Sequence, residues 1–299
     1  MKILMTGATG LIGNALRASF DEKGYDVLIA SRGEPKNDKY LQWSAEEGFE
    51  EKDIVRLEGL DAVIHLAGES ISGLRWTDEK KKAIRDSRVN GTRTLLNSLA
   101  KLKTKPKVLI AASAVGYYGD RADEELIETS GAGDTFLSDV AREWEAESRR
   151  AEDMGIRTVL LRSGIVLSKD GGALGTMLTP FKFGVGGVIG SGEQWMSWIS
   201  LDDVVGVVNF ALENENLRGA VNNVAPNPVR NDEFTKTLGT VLYRPTFLPL
   251  PEFAVNFVLG EMGDALLLDS TRAVPKRLQD AGYEFKYSEL KDALENAVK

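Results

Sequence analysis

Three glycines at three-residue spacing, set between a short apolar run and a helical apolar series, constrain this chain more than any other stretch. The opening reads Met1-Lys-Ile-Leu-Met-Thr-Gly-Ala-Thr-Gly-Leu-Ile-Gly-Asn14. Lys2 to Met5 has the length of a strand, and Leu11, Ile12, Ala15 and Leu16 recur at helical spacing, so the pattern predicts strand, glycine turn, helix. At such a turn Gly7 permits the tight bend, Gly10 lets a pyrophosphate approach the main chain, and Gly13 lets helix and strand pack closely. The free amides and positive end of the helix then face the phosphates. A bare glycine triplet also fits an ordinary loop; its place inside a strand and helix of the right lengths is what points to a dinucleotide.

The next strand, Tyr25 to Arg32, ends in Ser31 and Arg32. In dinucleotide folds an acidic residue at this end hydrogen-bonds the adenosine 2′-hydroxyl, whereas an arginine accommodates a 2′-phosphate. The acid is absent here, and arginine offers a planar, permanently charged fork suited to phosphate, so the expected cofactor is NADP(H) rather than NAD(H). The plain alternative is a surface arginine.

Lys36 to Glu58 is charged and reads as an exposed connection without a motif, anchored by Trp43 and Phe49. Asp61 to Gly68 is a third strand that delivers Leu66, Ala67 and Gly68 to its carboxyl end, where small residues let an adenosine or ribose lie against the backbone. His65, just before that edge, reads as a core or strand-end residue. A long helix follows from Thr77 to Leu102, with Ile84, Gly91, Leu95 and Leu99 on one side and Arg88 in its middle, within reach of the cofactor phosphates. Lys107 to Ser113 is the fourth strand. A helix from about Thr135 to Met154, buried through Leu137, Val140, Ala141 and Trp144, leads to the fifth, Ile156 to Arg162, which continues to Leu167. Alternating strands and helices imply an α/β, Rossmann-like, doubly wound parallel sheet over residues 1–168.

Beyond Ser168 the composition turns glycine-dense. A helix from Ala173 to Phe183, a strand over Gln194 to Ser200, a capping box of Ser200 and Asp203 opening a helix to Glu213, and a strand from Ala220 to Ala225 are expected in turn. Parts of 194–225 complete the sheet. Asn231 is placed to cap a helix ending near Leu242, and prolines over 245–251 set off helices near 252–259, 270–281 and 288–298 as a smaller, mostly helical, substrate-side domain over about 245–299, within a substrate-side region of 169–299.

Composition closes several alternatives. A formal charge of −8 argues against a nucleic-acid or anionic-membrane surface, and Lys80-Lys81-Lys82 reads as a solvated helix face. With no cysteine and one histidine, disulfides, thiolate nucleophiles and multi-histidine metal sites are excluded. No stretch reaches the roughly 18 apolar residues of a membrane helix, so the chain is expected to be soluble and cytoplasmic.

Taken together, Thr6-Gly-Ala-Thr-Gly-Leu-Ile-Gly13, His65-Leu-Ala-Gly68 and Ser113-Ala-Val-Gly-Tyr-Tyr-Gly119 resemble the extended short-chain dehydrogenase/reductases. Leu66-Ala-Gly-Glu-Ser70, Leu161-Arg-Ser-Gly-Ile-Val-Leu167, Gly190-Ser-Gly-Glu-Gln-Trp-Met-Ser-Trp-Ile199 and Asn222-Asn-Val-Ala-Pro-Asn-Pro-Val229 are similar to an atypical branch, the NAD-dependent epimerase/dehydratase or "epimerase family" proteins, which carry a helical C-terminal domain of their own. The resemblance implies that Gly7, Thr9, Gly10, Leu11 and Ile12 hold the pyrophosphate, Ser31 and Arg32 the 2′-phosphate, and Leu66, Ala67, Gly68 and Glu69 the adenosine side. It also implies that Arg88 and Val166 touch the cofactor and that the cofactor is NADP.

Ordinary members of that superfamily transfer hydride with a Tyr-x-x-x-Lys pair on the helix after the fourth strand, the tyrosine moving the proton and the lysine binding the nicotinamide ribose. Here that helix reads Thr135-Phe-Leu-Ser-Asp-Val-Ala-Arg-Glu-Trp-Glu145, with neither residue; Tyr287 and Lys291 have the spacing but lie in the last helix. Arg142 is the candidate ribose or phosphate contact in place of the lysine. Ser113 and Tyr117 remain as catalytic candidates, Tyr118 matches a structural tyrosine, and Trp195 and Trp198 are expected to wall a pocket or fill the core. Three readings stay open: an NADP(H)-dependent oxidoreductase or epimerase acting on a small molecule, a non-catalytic NADP(H)-binding regulatory protein, and a binding module for another ligand.

Overall fold

The computed structural model describes residues 1–73 and 75–299. Its first half runs β1 (Lys2–Thr6), α1 (Leu11–Glu22), β2 (Asp26–Ser31), β3 (Tyr40–Ser44), β4 (Gly48–Phe49), α2 (Glu51–Ile54), β5 (Ala62–His65), α3 (Asp78–Ala100), β6 (Val108–Ala114), β7 (Glu125–Leu126), α4 (Phe136–Arg149) and β8 (Arg157–Ser163). The second half continues with β9 (Ile165–Leu167), α5 (Gly172–Lys182), β10 (Trp195–Met196), β11 (Trp198–Ser200), α6 (Leu201–Glu213), β12 (Gly219–Asn223), β13 (Val229–Arg230), α7 (Asn231–Leu242), α8 (Glu252–Leu259), α9 (Glu261–Gly263), β14 (Arg272–Ala273), α10 (Lys276–Asp280) and α11 (Leu290–Ala297).

Eight strands form one sheet in the order β12-β8-β6-β5-β1-β2-β3-β4, parallel throughout except for the antiparallel edge strand β4. Alternate residues of the central strands bury into two separate cores, which is why these strands read as unbroken apolar runs. On one face Ile3, Met5 and Ile64 pack with Leu16 and Phe20 of α1 and with Val207, Val208 and Ala211 of α6. On the other, Leu4, Val63 and Leu109 pack with Leu95, Leu96 and Leu99 of α3. The sheet is therefore doubly wound. The chain adds β2 and β3 on one side of β1 and then returns to place β5 on the other, so the strand order reverses between β1 and β5. A crevice at that reversal is where such sheets take ligands.

A third apolar cluster lies outside the sheet: Leu174, Leu178 and Phe181 of α5 meet Trp198 of β11, Phe234 and Leu238 of α7, and Leu290 and Leu294 of α11. It holds the C-terminal helices to the strand pair β9 and β11.

Several local expectations change. The stretch 36–58 is not a bare connection: Leu41 and Trp43 alternate into the core and extend the sheet by β3, with β4 and α2 behind. The strand over 194–200 breaks at Ser197, whose hydroxyl donates to the Thr271 carbonyl, and its halves pair with different partners, β13 and β9. Asn231 begins α7 without capping it; its Oδ1 accepts from the Ile189 amide instead. The helix expected over 270–281 shrinks to α10 because Arg272 and Ala273 pair with β7. Thr77 and Ser200 do cap α3 and α6, accepting from the amides of Lys80 and Asp203.

Candidate dinucleotide site

The glycine turn shows a division of labour. Gly7 has φ +67°, and a Cβ there would lie 2.7 Å from the Leu66 carbonyl carbon; at Gly13 it would lie 2.3 Å from the Gly7 oxygen. Both glycines are required by the fold itself, one by the β5 exit crossing the turn and the other by the packing of α1. Gly10 is different: it is exposed, has no left-handed backbone, and a Cβ would meet nothing closer than the Gly7 oxygen at 3.4 Å. The protein leaves that side open. The N-terminus of α1 carries no side-chain cap and no acidic residue in its first turn, so its first amides and the helix dipole are available to an anion. Thr9 sits exposed at the same turn, its carbonyl accepting from Asn14 Nδ2 at 3.1 Å.

Across the crevice the β5 exit is held by a chain of hydrogen bonds in which every direction is fixed by its partners. Thr6 Oγ1 accepts from the amides of Leu66 (3.2 Å) and Ala67 (3.1 Å). Its own proton therefore goes to His65 Nδ1 at 2.7 Å, which leaves the ring hydrogen on Nε2 to donate to Thr92 Oγ1 at 3.1 Å. Thr92 in turn donates to the Arg88 carbonyl at 2.6 Å. Burial pushes the His65 pKa down to about 4, so the ring is neutral near pH 7.

Arg88 closes this chain. Its Nη1 donates to the carbonyls of Glu69 (2.9 Å) and Ile84 (3.1 Å), and a Cβ on Gly68 would stand 3.3 Å from its guanidinium carbon. Burial draws its pKa down to about 10, opposed by the nearby Glu69. The side chain expected to reach the cofactor also shapes the Leu66–Glu69 loop, through Nη1. Glu69 is fixed from two more sides, its amide donating to Ser87 Oγ at 2.9 Å and its carboxylate paired with Lys80 at 2.6 Å. Within the three-lysine run, Lys80 pairs with Glu69 and Lys81 with Glu261, both part-buried, while Lys82 stays on the solvated face beside Asp86.

Ser31 ends β2 and Arg32 follows it, close enough to Glu69 to act on it through its charge. Arg32 is exposed and has no hydrogen-bond or ion-pair partner among the described residues. The Lys80 hydrogen bond chiefly lowers the Glu69 pKa, with Arg32 and Arg88 contributing through their charge. Val166 lies on the opposite wall. A Cβ on Gly172 would stand 3.6 Å from Leu11 and 3.7 Å from the Val166 carbonyl, so the start of α5 brings Val166 and the glycine turn together.

At the carboxyl edge of β6 the two catalytic candidates have different surroundings. Ser113 is buried and donates to Glu145 Oε1 at 2.8 Å. Glu145, on α4, also takes a two-pronged ion pair from Arg162 at 2.7 and 2.9 Å, both side chains being almost fully buried. Arg162 further donates to Tyr118 Oη at 2.9 Å, and Tyr118 donates to Asn222 Oδ1 at 2.6 Å. The flat face of the same guanidinium lies 3.5 Å from the centre of the Tyr117 ring. Tyr117 is half-buried, and its hydroxyl has no partner among the described residues. Arg142 is not in this group; it makes a surface ion pair with Asp139 at 2.6 Å. Trp198 is buried in the third core, and Trp195 is held between Arg230 and Arg272, each 4.7 Å from its ring.

Sequence reasoning missed Glu145, Arg162 and Asn222. Their signal was present: an arginine inside the apolar strand Thr158-Val-Leu-Leu-Arg-Ser and a glutamate on the inward stripe of α4 must meet, because neither charge is stable buried alone.

Residues 3–225 match the NAD dependent epimerase/dehydratase family, and residues 250–297 match a domain of unknown function, DUF1731. The epimerase family protein YfhF of Bacillus subtilis is 43% identical, with 100% of this chain and 98% of that protein aligned. A chloroplastic homologue of the epimerase family protein SDR39U1 from Arabidopsis thaliana is 40% identical over 98% of this chain and 86% of its own length. The crystal structure of human epimerase family protein SDR39U1, with NADPH, superposes with a TM-score of 0.90 at 35% identity over 99% of both chains. The UDP-glucose 4-epimerase of Thermotoga maritima shares the fold, at TM-score 0.76 and 20% identity over 100% of this chain and 97% of that one.

Proposed function

We propose that this chain, which belongs to the NAD dependent epimerase/dehydratase family, binds NADP(H) at the β1/β5 crevice and acts on a small molecule as an oxidoreductase or epimerase. The observation that carries the reading is Gly10, a glycine that the protein's own packing does not require, set at an uncapped helix end facing open space. A pyrophosphate is what such a position accommodates. The NADPH in the related human structure supports the same choice.

In this reading Gly7, Thr9, Gly10, Leu11 and Ile12 surround the pyrophosphate, Leu66 to Glu69 form the adenosine wall, and Val166 borders the nicotinamide side. Ser31 and Arg32 take the 2′-phosphate, for which an exposed, unpaired guanidinium is suited. Arg88 acts by holding the Leu66–Glu69 loop. The bound nicotinamide would supply hydride transfer. Tyr117 is the side chain placed to hold or give a proton at its phenolic oxygen, because its hydroxyl is free while those of Ser113 and Tyr118 are committed to Glu145 and Asn222. Ser113 then serves by orienting Glu145.

One observation favours the second reading, a cofactor-binding regulatory protein without turnover: the buried Glu145–Arg162 pair takes up the Ser113 hydroxyl, and α4 bears no Tyr-x-x-x-Lys pair. NADPH oxidation followed over a panel of aldehydes, ketones and nucleotide sugars separates the two. Consumption of NADPH, or exchange of hydride between a deuterated nicotinamide and a panel member, that Tyr117→Phe abolishes supports the enzyme; tight NADPH binding with neither consumption nor exchange on any member supports the regulator.

A further inference from the structure

Among the described residues eleven large apolar side chains are exposed, and nine of them lie in 183–185 and 243–258. The two segments form one surface. The Leu250 amide donates to the Val188 carbonyl at 2.8 Å and the Gly190 amide to the Leu250 carbonyl at 2.9 Å, while Arg244 Nε donates to the Lys182 carbonyl at 2.8 Å. α8 follows directly, with Val255 buried beneath it and Phe253 and Phe257, one turn apart, pointing away.

We propose that this surface is a two-fold interface between two copies of this chain. Phe183 is 80% exposed, Tyr243 90%, Phe247 73%, Phe253 75% and Phe257 80%. Side chains that stand this far into water do not line a small-molecule pocket, which buries its walls; they suit another protein surface. With aromatic side chains each worth roughly 150–250 Å², the patch presents on the order of 1,000 Å². That exceeds the 300–600 Å² of a typical monomer's largest patch and matches the roughly 800 Å² per partner of a stable interface.

The charges at its rim make a second copy the fitting occupant. Lys182 and Arg244 flank one part of the patch and Glu252 another, and none of the three has an ion-pair partner among the described residues. A two-fold axis brings the surface against itself, so each copy's basic part meets the other's acid.

Sedimentation velocity on the full chain, from low micromolar to about 100 μM, tests this. The wild type is expected to be dimeric. Phe247→Glu with Phe257→Glu, both on the surface, should give a monomer with unchanged circular dichroism. Glu252→Lys should weaken the dimer about tenfold and Arg244→Glu in the same chain should restore it. A wild-type chain that stays monomeric overturns the proposal, as does a dimer that survives the double glutamate variant. A monomer that co-floats with neutral phosphatidylcholine vesicles assigns the patch to lipid and overturns it too.

Discussion

Thr6 and His65, at the ends of adjacent parallel strands, share a 2.7 Å hydrogen bond in which the threonine must be the donor, because its oxygen already accepts from two amides of the next loop. One hydroxyl thus fixes both the tautomer of the histidine and the path of Leu66 and Ala67 along the cofactor crevice.

Replacing Thr6 with valine leaves the buried His65 Nδ1 and the Ala67 amide without partners. The expected loss is about 2–3 kcal/mol of stability, with weaker NADPH binding, while Thr6→Ser retains both. Denaturant midpoints and NADPH titration of the three proteins check this.

The same histidine makes stability pH-dependent in a defined window. Its folded pKa, about 4, lies below the ordinary 6.5, so between these values the unfolded chain binds more protons than the folded one. Its effect is nil above pH 6.5; stability falls as the pH drops from 6.5 towards 4, by at most about 3 kcal/mol, and levels off below. His65→Gln should flatten this part of the curve in thermal melts across that range.

Gly10 and Gly13 should respond in opposite ways. Gly10→Val is expected to abolish NADPH binding at a stability cost of about 1 kcal/mol, that of a poorer residue at the α1 N-cap, because the added Cβ fills only the ligand side. Gly13→Ala drives a methyl into the Gly7 carbonyl and should destabilise by about 1–3 kcal/mol. Calorimetric binding and unfolding curves on both variants distinguish ligand space from packing.

Glu145→Ala strips the counter-charge from Arg162, whose side chain is 2% exposed, and should cost about 3–5 kcal/mol. Glu145→Met combined with Arg162→Met should recover most of it, since the charge pair repays little more than its own desolvation. Urea unfolding of the single and double variants measures the difference.

The strand and helix alternation of the Rossmann half was legible because each central strand is a continuous apolar run and each helix carries an apolar stripe. The third strand of the sheet was not: in Tyr40-Leu-Gln-Trp-Ser only Leu41 and Trp43 face inwards, and the charged flanks masked a two-residue alternation. At the site, glycine spacing marked the turn, but spacing along a chain cannot show that Gly10 alone is unneeded by the fold, or that Arg88 donates to the Glu69 carbonyl of a neighbouring loop. Glu145 and Arg162, 17 residues apart, meet only through the packing of α4 on β8. The same limit applies to Asn231, whose side chain is drawn from its own helix to the Ile189 amide.

Calorimetric titration of the purified chain with NADPH and NADH, repeated on Arg32→Asp, tests the central claim most directly. The account predicts saturable binding of NADPH at one site per chain, tighter than NADH, with Arg32→Asp weakening NADPH roughly tenfold to a hundredfold and NADH far less. Absence of saturable NADPH binding, or equal losses for the two coenzymes, would contradict it.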